Sequence, residues 1–304
     1  MILSPLWLPA TLAAALFQCW RTALQQRLRG QLSVNGAAVV RYLYGVPVGA
    51  ALLCLYLFLA GGALPAPNAA FLAFCAAGGL AQILGTNLLI MAFGHRGFAV
   101  GTAYAKTEAV QGAVLALVLL GERISPLAWL GIAVGVAGVL WLSLAGRSLG
   151  AREFLRATAQ PAALCGLAAG TGFAFSAVLI KAANTALPGD DPVLRSLAAL
   201  VVINTMQTAV QGGWLLAREP AQLRAVFGTW RSSAQVGALS ACGSACWFTG
   251  FALAPVALVR AVGQVEILFT LLFSRFYLGE TPSRSEIGGA LVLVLGVVLV
   301  LAGR

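Results

Sequence analysis

An all-α membrane protein with many spans is the fold class this sequence predicts, and three observations predict it. Of 304 residues, 60% are hydrophobic and only 9% are Asp, Glu, Lys or Arg, whereas soluble domains carry about 25% charged residues. The apolar residues fall in runs of about 20, the length that crosses a bilayer as a helix. The runs are long and continuous, whereas a barrel needs short alternating strands. Charge is cheap to omit only where lipid is the solvent, so soluble enzyme and nucleic-acid readings are excluded first. The net charge of +10 is scattered singly between the runs, with no basic stripe; it reads as membrane orientation.

Ten spans are expected: Leu6–Gln26, Gly36–Ala60, Ala69–Phe93, Phe98–Leu120, Leu127–Ala145, Ala162–Ala182, Val193–Ala217, Ser233–Leu253, Val256–Leu278 and Ile287–Leu301. The first begins without the basic stretch of a cleaved leader. Short connections carry the breakers Pro65, Pro67, Pro126, Pro161, Pro188, Pro255 and Pro282. The connection 146–160, with Arg147, Arg152, Glu153 and Arg156, divides the chain into halves 1–150 and 151–304.

The halves repeat. Glu108 precedes Gly121-Glu122 by the spacing with which Glu266 precedes Gly279-Glu280, an offset of 158. The same offset carries Gly131 onto Gly289, Gly138 onto Gly296, Lys106 onto Gln264 and Thr102 onto Arg260. Gln25 matches Lys181 at offset 156, and Arg41 matches Arg195 at 154. Five spans per half is an odd number, so the second copy enters the membrane from the opposite side. Two inverted five-helix repeats around a central cavity are therefore expected, an architecture of secondary transporters.

An Arg early in the second span of each half, two glutamates bracketing the end of the fourth, and a Gly-rich fifth span resemble the EamA-type branch of the drug/metabolite transporter superfamily. The resemblance covers nearly the whole chain. It implies a ten-helix carrier of small metabolites, including amino acids, with no ATPase domain. One departure is that many members have Pro just after the fourth-span Glu, where this chain has Glu108-Ala109 and Glu266-Ile267.

Ionisable groups inside spans cost about 2.5–3.5 kcal/mol on insertion scales and so face a cavity or a partner. Arg21, Arg41, Lys106, Glu108, Arg260 and Glu266 are such groups; Lys181, Arg195 and Arg275 sit near span ends, where snorkelling to the interface is expected. On an unbroken helix Lys106 and Glu108 project about 200° apart. Thr102 and Lys106 then share one face, and Arg260 and Gln264 another, and these faces are expected to line the pathway. Gln18, Arg21 and Gln25 form a polar stripe on the first span and join them, with Trp247 from the eighth. Glu108 and Glu266 are left either as structural carboxylates, holding Arg41 or helix ends, or as coupling carboxylates. Asn87, Asn204, Gln207 and Gln211 fit helix–helix hydrogen bonding at least as well as ligand contact. The glycines of spans five and ten read as intramolecular or dimer packing.

The six cysteines lie inside apolar runs without metal or redox spacing, and His95 is the one histidine, so no metal, cofactor or enzyme activity is expected. No phosphate-loop motif points to ATP drive. Connections on the side of the termini hold Arg123 and the terminal Arg304, against ten arginines on the other side; the positive-inside rule then puts both termini outside the cytoplasm. The leading functional expectation is an exporter of a small polar metabolite, an amino acid or related carboxylate, in the cell inner membrane. A nucleotide-sugar or organophosphate exchanger is the alternative within transport. A non-transporting scaffold or a membrane enzyme is the alternative outside it. Expected partners are the bilayer, the small-molecule substrate and, for a coupled carrier, an ion; nucleic acid is not expected, and the chain acts as monomer or homodimer.

Overall fold

In the computed structural model, residues 4–61, 63–93, 104–143, 160–273 and 283–304 are described. The first half comprises α1 (Trp7–Leu28), α2 (Val34–Leu43), α3 (Gly45–Ala60), α4 (Ala69–Phe93), α5 (Glu108–Leu120) and α6 (Pro126–Ser143). The second comprises α7 (Pro161–Ala186), α8 (Pro192–Gln207), α9 (Gly213–Arg218), α10 (Pro220–Gly228), α11 (Trp230–Leu253), α12 (Val256–Gly263), α13 (Glu266–Phe273) and α14 (Arg284–Ala302). Helix starts follow local chemistry. Asp191 caps α8 through the Val193 and Leu194 N–H groups, with Pro192 in its first turn, and Ser283 and Glu286 cap α14 reciprocally. Gly121 ends α5 at φ 66°, a conformation only glycine adopts cheaply.

Among the described residues six helical stretches are both long and apolar enough to cross a membrane: Val34–Ala60, Ala69–Ala92, Pro161–Ala186, Pro192–Arg218, Trp230–Leu253 and Arg284–Ala302. The chain is a multi-pass membrane protein. The other four expected spans differ for identifiable reasons. α1 is long, but Gln18, Arg21, Gln25, Gln26 and Arg27 lower its hydropathy. α5 and α6 are shorter apolar helices, and the expected span before α5 begins outside the described residues. The expected span Val256–Leu278 is divided by a turn at Gln264–Val265 into α12 and α13.

Two long stretches are also irregular. The second bends between α2 and α3, where Pro47 cannot donate to the helix ladder. Between α8 and α9, Thr208–Gly212 form a π-turn, and Gln211 there donates to Asn87 Oδ1 at 3.0 Å. The connection between the expected seventh and eighth spans holds the short helix α10, started by Pro220.

Packing is mostly between halves. α4 lies on α7, α1 on α11, α3 on α8, α5 on α12 and α6 on α14. The α6–α14 contact is backbone on backbone. A Cβ on Gly138 would stand 2.5 Å from Leu293 N, and one on Gly131 2.6 Å from Val300 N. Glycine is required there because helices in lipid associate by close approach rather than by apolar burial. The small-residue faces of the expected fifth and tenth spans therefore meet each other within one chain.

Candidate functional site

The expected fourth span is not one straight rod. The chain turns at Lys106–Thr107 before α5 begins at Glu108. Thr107 Oγ1 donates to Tyr104 O at 2.6 Å and accepts from Gln111 Nε2 at 2.9 Å, which supplies partners around the break. The equivalent turn in the second half falls at Gln264–Val265. Broken helices of this kind place backbone polar groups and side chains at a cavity inside a membrane.

A cavity of about 70 Å³ lies at these breaks, among α1, α2, α4, α5, α7, α11, α12 and α13. Gln18, Arg21, Arg41, Lys106, Glu108, Trp247, Arg260 and Glu266 all line it. The expectation that Lys106 and Glu108 could not share an opening is thus corrected: the turn between them swings both side chains to the same space. Gln264 and Gln25 do not line the cavity. Gln264 Nε2 donates to Lys106 O at 3.2 Å, and Gln25 Nε2 donates to Ala37 O at 2.8 Å, tying α1 to α2. Thr102 lies outside the described residues.

The two glutamates take partners from the opposite half. Glu108 Oε1 meets Arg260 Nη1 at 3.2 Å. Glu266 pairs with Lys106 and accepts from Gln18 Nε2 at 2.7 Å. Neither holds Arg41, contrary to one reading of the sequence. Arg260 also donates to Phe173 O at 3.1 Å and lies over the rings of Trp247 and Phe251, 5.1 and 5.2 Å from their centroids. Gly263 makes room for this wall, since a Cβ there would overlap the Trp247 ring. Trp247 Nε1 in turn donates to Gln18 Oε1 at 3.1 Å.

Arg41 and Arg21 are held differently. Arg41 donates to Ser240 Oγ at 3.1 Å and to Thr86 Oγ1 at 2.6 Å, both neutral partners. Arg21 is only 8% exposed, its Nε is buried without a partner, and its guanidinium finds no hydrogen bond or ion pair among the described residues. The roles of Thr86, Ser240, Phe173 and Phe251 were not foreseen. Thr86 beside Asn87, and Ser240 and Ser244 one turn apart in an apolar span, were the available signals.

A profile described as the EamA-like transporter family matches residues 5–144 and again residues 160–302. The chain belongs to the EamA-like transporter family. The double match falls on the two halves that the 158-residue offset delimits. No curated relative matches this sequence. A solved crystal structure matches the EamA-like chain with a TM-score of 0.71 over 97% of both chains, at 17% identity; the two share a fold. Among the described residues this family member has no group of three His, Cys, Asp or Glu placed to hold a metal.

One polar cluster lies away from the cavity. Lys181 of α7, expected to snorkel, instead pairs with Glu122, which follows α5. Lys181 Nζ also donates to Ala254 O at 2.7 Å, and Glu122 Oε2 accepts from Val256 N at 2.8 Å. The cation thus sits at the C-terminal end of α11 and the carboxylate at the N-terminal end of α12, each on the favourable side of its helix dipole.

Proposed function

We propose that this protein is a secondary transporter of a small, carboxylate-bearing metabolite. The observation that carries the reading is Arg21: a buried guanidinium without a hydrogen-bond or ion-pair partner among the described residues, lining a cavity between the halves that holds several charged side chains. An unpaired cation inside a membrane is costly, and its default explanation is a ligand or pathway role. The wall of Trp247, Phe251 and Phe173 offers the carbon part of a substrate an apolar face. The small volume favours a metabolite acid over a nucleotide sugar.

On this reading 1–150 and 151–304 are inverted five-helix repeats, ten spans in all, that alternate access to the cavity by rocking. On the K/R tally both termini are read as lying outside the cytoplasm, and transport is read as export. Glu108 and Glu266 are read as structural partners of Arg260 and Lys106 in the state described.

Reconstitution in proteoliposomes with imposed proton and sodium gradients, screened with small acids and amino acids, tests the function. Lys106→Ala and Arg260→Ala should each abolish transport when activity is normalised to the folded, membrane-inserted protein. Normal transport by both variants would remove these residues from the pathway.

A further inference from the structure

Among the described residues, the charges lining the cavity do not cancel. Four cations, Arg21, Arg41, Lys106 and Arg260, face two carboxylates, Glu108 and Glu266. Both carboxylates are taken, one by Arg260 and one by Lys106. The surplus is two positive charges, and it resides on Arg21 and Arg41, the two cations with no anionic partner among the described residues. Both line the same cavity. Hydroxyl groups hold Arg41, but hydroxyls do not neutralise charge.

We infer that the substrate is a dianion, with one acid group meeting Arg21 and the other the unengaged side of the Arg41 guanidinium. This deepens the transport reading above and rests on it. A monoanion or a zwitterion leaves at least one buried cation uncompensated; a dianion brings the cavity to neutrality. Guanidinium groups suit the task because their planar fork matches carboxylate and phosphate oxygens alike. A dicarboxylate and a phosphomonoester share this chemistry.

Thermal protection and counterflow in proteoliposomes, with four probes, test the inference: succinate, glycerol phosphate, butyrate and alanine. At pH 7.5 at least one of the two dianions should act at a concentration about tenfold or more below that of butyrate or alanine, the scale of one charge-assisted hydrogen bond. The direct comparison of succinate with glycerol phosphate at pH 7.5, where both are mostly dianions, separates the sources.

Arg21→Gln and Arg41→Gln should each bring the dianion-to-monoanion ratio toward one. Arg21→Gln should do so without lowering the melting temperature of the substrate-free protein, because the residue removed has no partner among the described residues to orphan. A ratio unchanged in both variants overturns the inference, as does a preference for butyrate or alanine or the absence of any response to both dianions. Transport of butyrate or alanine alone would overturn the dianion and leave the transporter reading standing.

Discussion

Replacing Glu108 with Gln is expected to destabilise the protein by about 3–5 kcal/mol, the scale seen when one partner of a buried ion pair is removed. Arg260 would remain in place over Trp247 and Phe251 with neutral acceptors only, and no carboxylate to offset its buried charge. Arg260→Met should cost a similar amount by orphaning Glu108, which is 8% exposed. The double variant should be more stable than either single one, since removing both charges removes the desolvation penalty along with the attraction. Melting temperatures in a fixed lipid–detergent mixture measure the cycle. Additive losses would show that the pair contributes no coupling, and would return Glu108 to the status of an independent pathway carboxylate.

Lys181→Gln is expected to shift the conformational balance rather than the stability of either half. The pair with Glu122 fastens the end of α5, in the first half, to α7 and to the junction of α11 and α12, in the second. Both side chains are largely shielded, 20% and 12% exposed, so the contact is worth more than a surface pair, about 1–2 kcal/mol. Its repeat counterpart combines Gln25 with Glu280, which cannot form an ion pair. On the inverted-repeat reading, this fastening therefore has no charged counterpart in the other half. In a variant with its native cysteines replaced and one cysteine at the cavity-lining position Ser244, Lys181→Gln should raise labelling by a membrane-impermeant thiol reagent. The rise should come from the face that carries the α11–α12 junction, by about five- to thirtyfold, and Lys181→Arg should largely prevent it. Unchanged labelling in Lys181→Gln with transport altered would sink the fastening role and leave Lys181 a substrate-path residue.

Membrane class, repeat offset and most of the charged residues that line the cavity were legible because lipid imposes long apolar runs and makes each interruption conspicuous. Arg21, Arg41, Lys106, Glu108, Arg260 and Glu266 stand out in such runs for that reason alone. The turn at Lys106–Thr107 was not legible. Neither residue is a breaker, and the helical projection that separated Lys106 from Glu108 assumed a ladder that tertiary contacts interrupt. Partner choice was hidden too: Glu108 finds Arg260 and Glu266 finds Lys106 only once α5 packs on α12. Lys181 misled because a long cationic side chain near a span end has two satisfactory fates, the headgroup region or a buried carboxylate, and sequence position does not separate them.

The hydrogen bond from Gln264 to the Lys106 carbonyl joins two residues that the repeat makes equivalent. On the inverted-repeat reading, a two-fold axis passes through the midpoint of any such pair, so a pair in contact lies at the axis. If the halves exchange shapes to open the other way, this contact maps onto itself with donor and acceptor reversed: the Lys106 amine would reach for the Gln264 carbonyl. That amine is the one now holding Glu266. The amine, which has three donors, would then divide itself between that carbonyl and its carboxylate, and the equivalent position on the other half, being glutamine, has no charge to offer in return. A chain that is symmetric in outline would in this way have two end states of different electrostatic character, one sealed by its own charges and one that needs an outside ion or substrate to be comfortable.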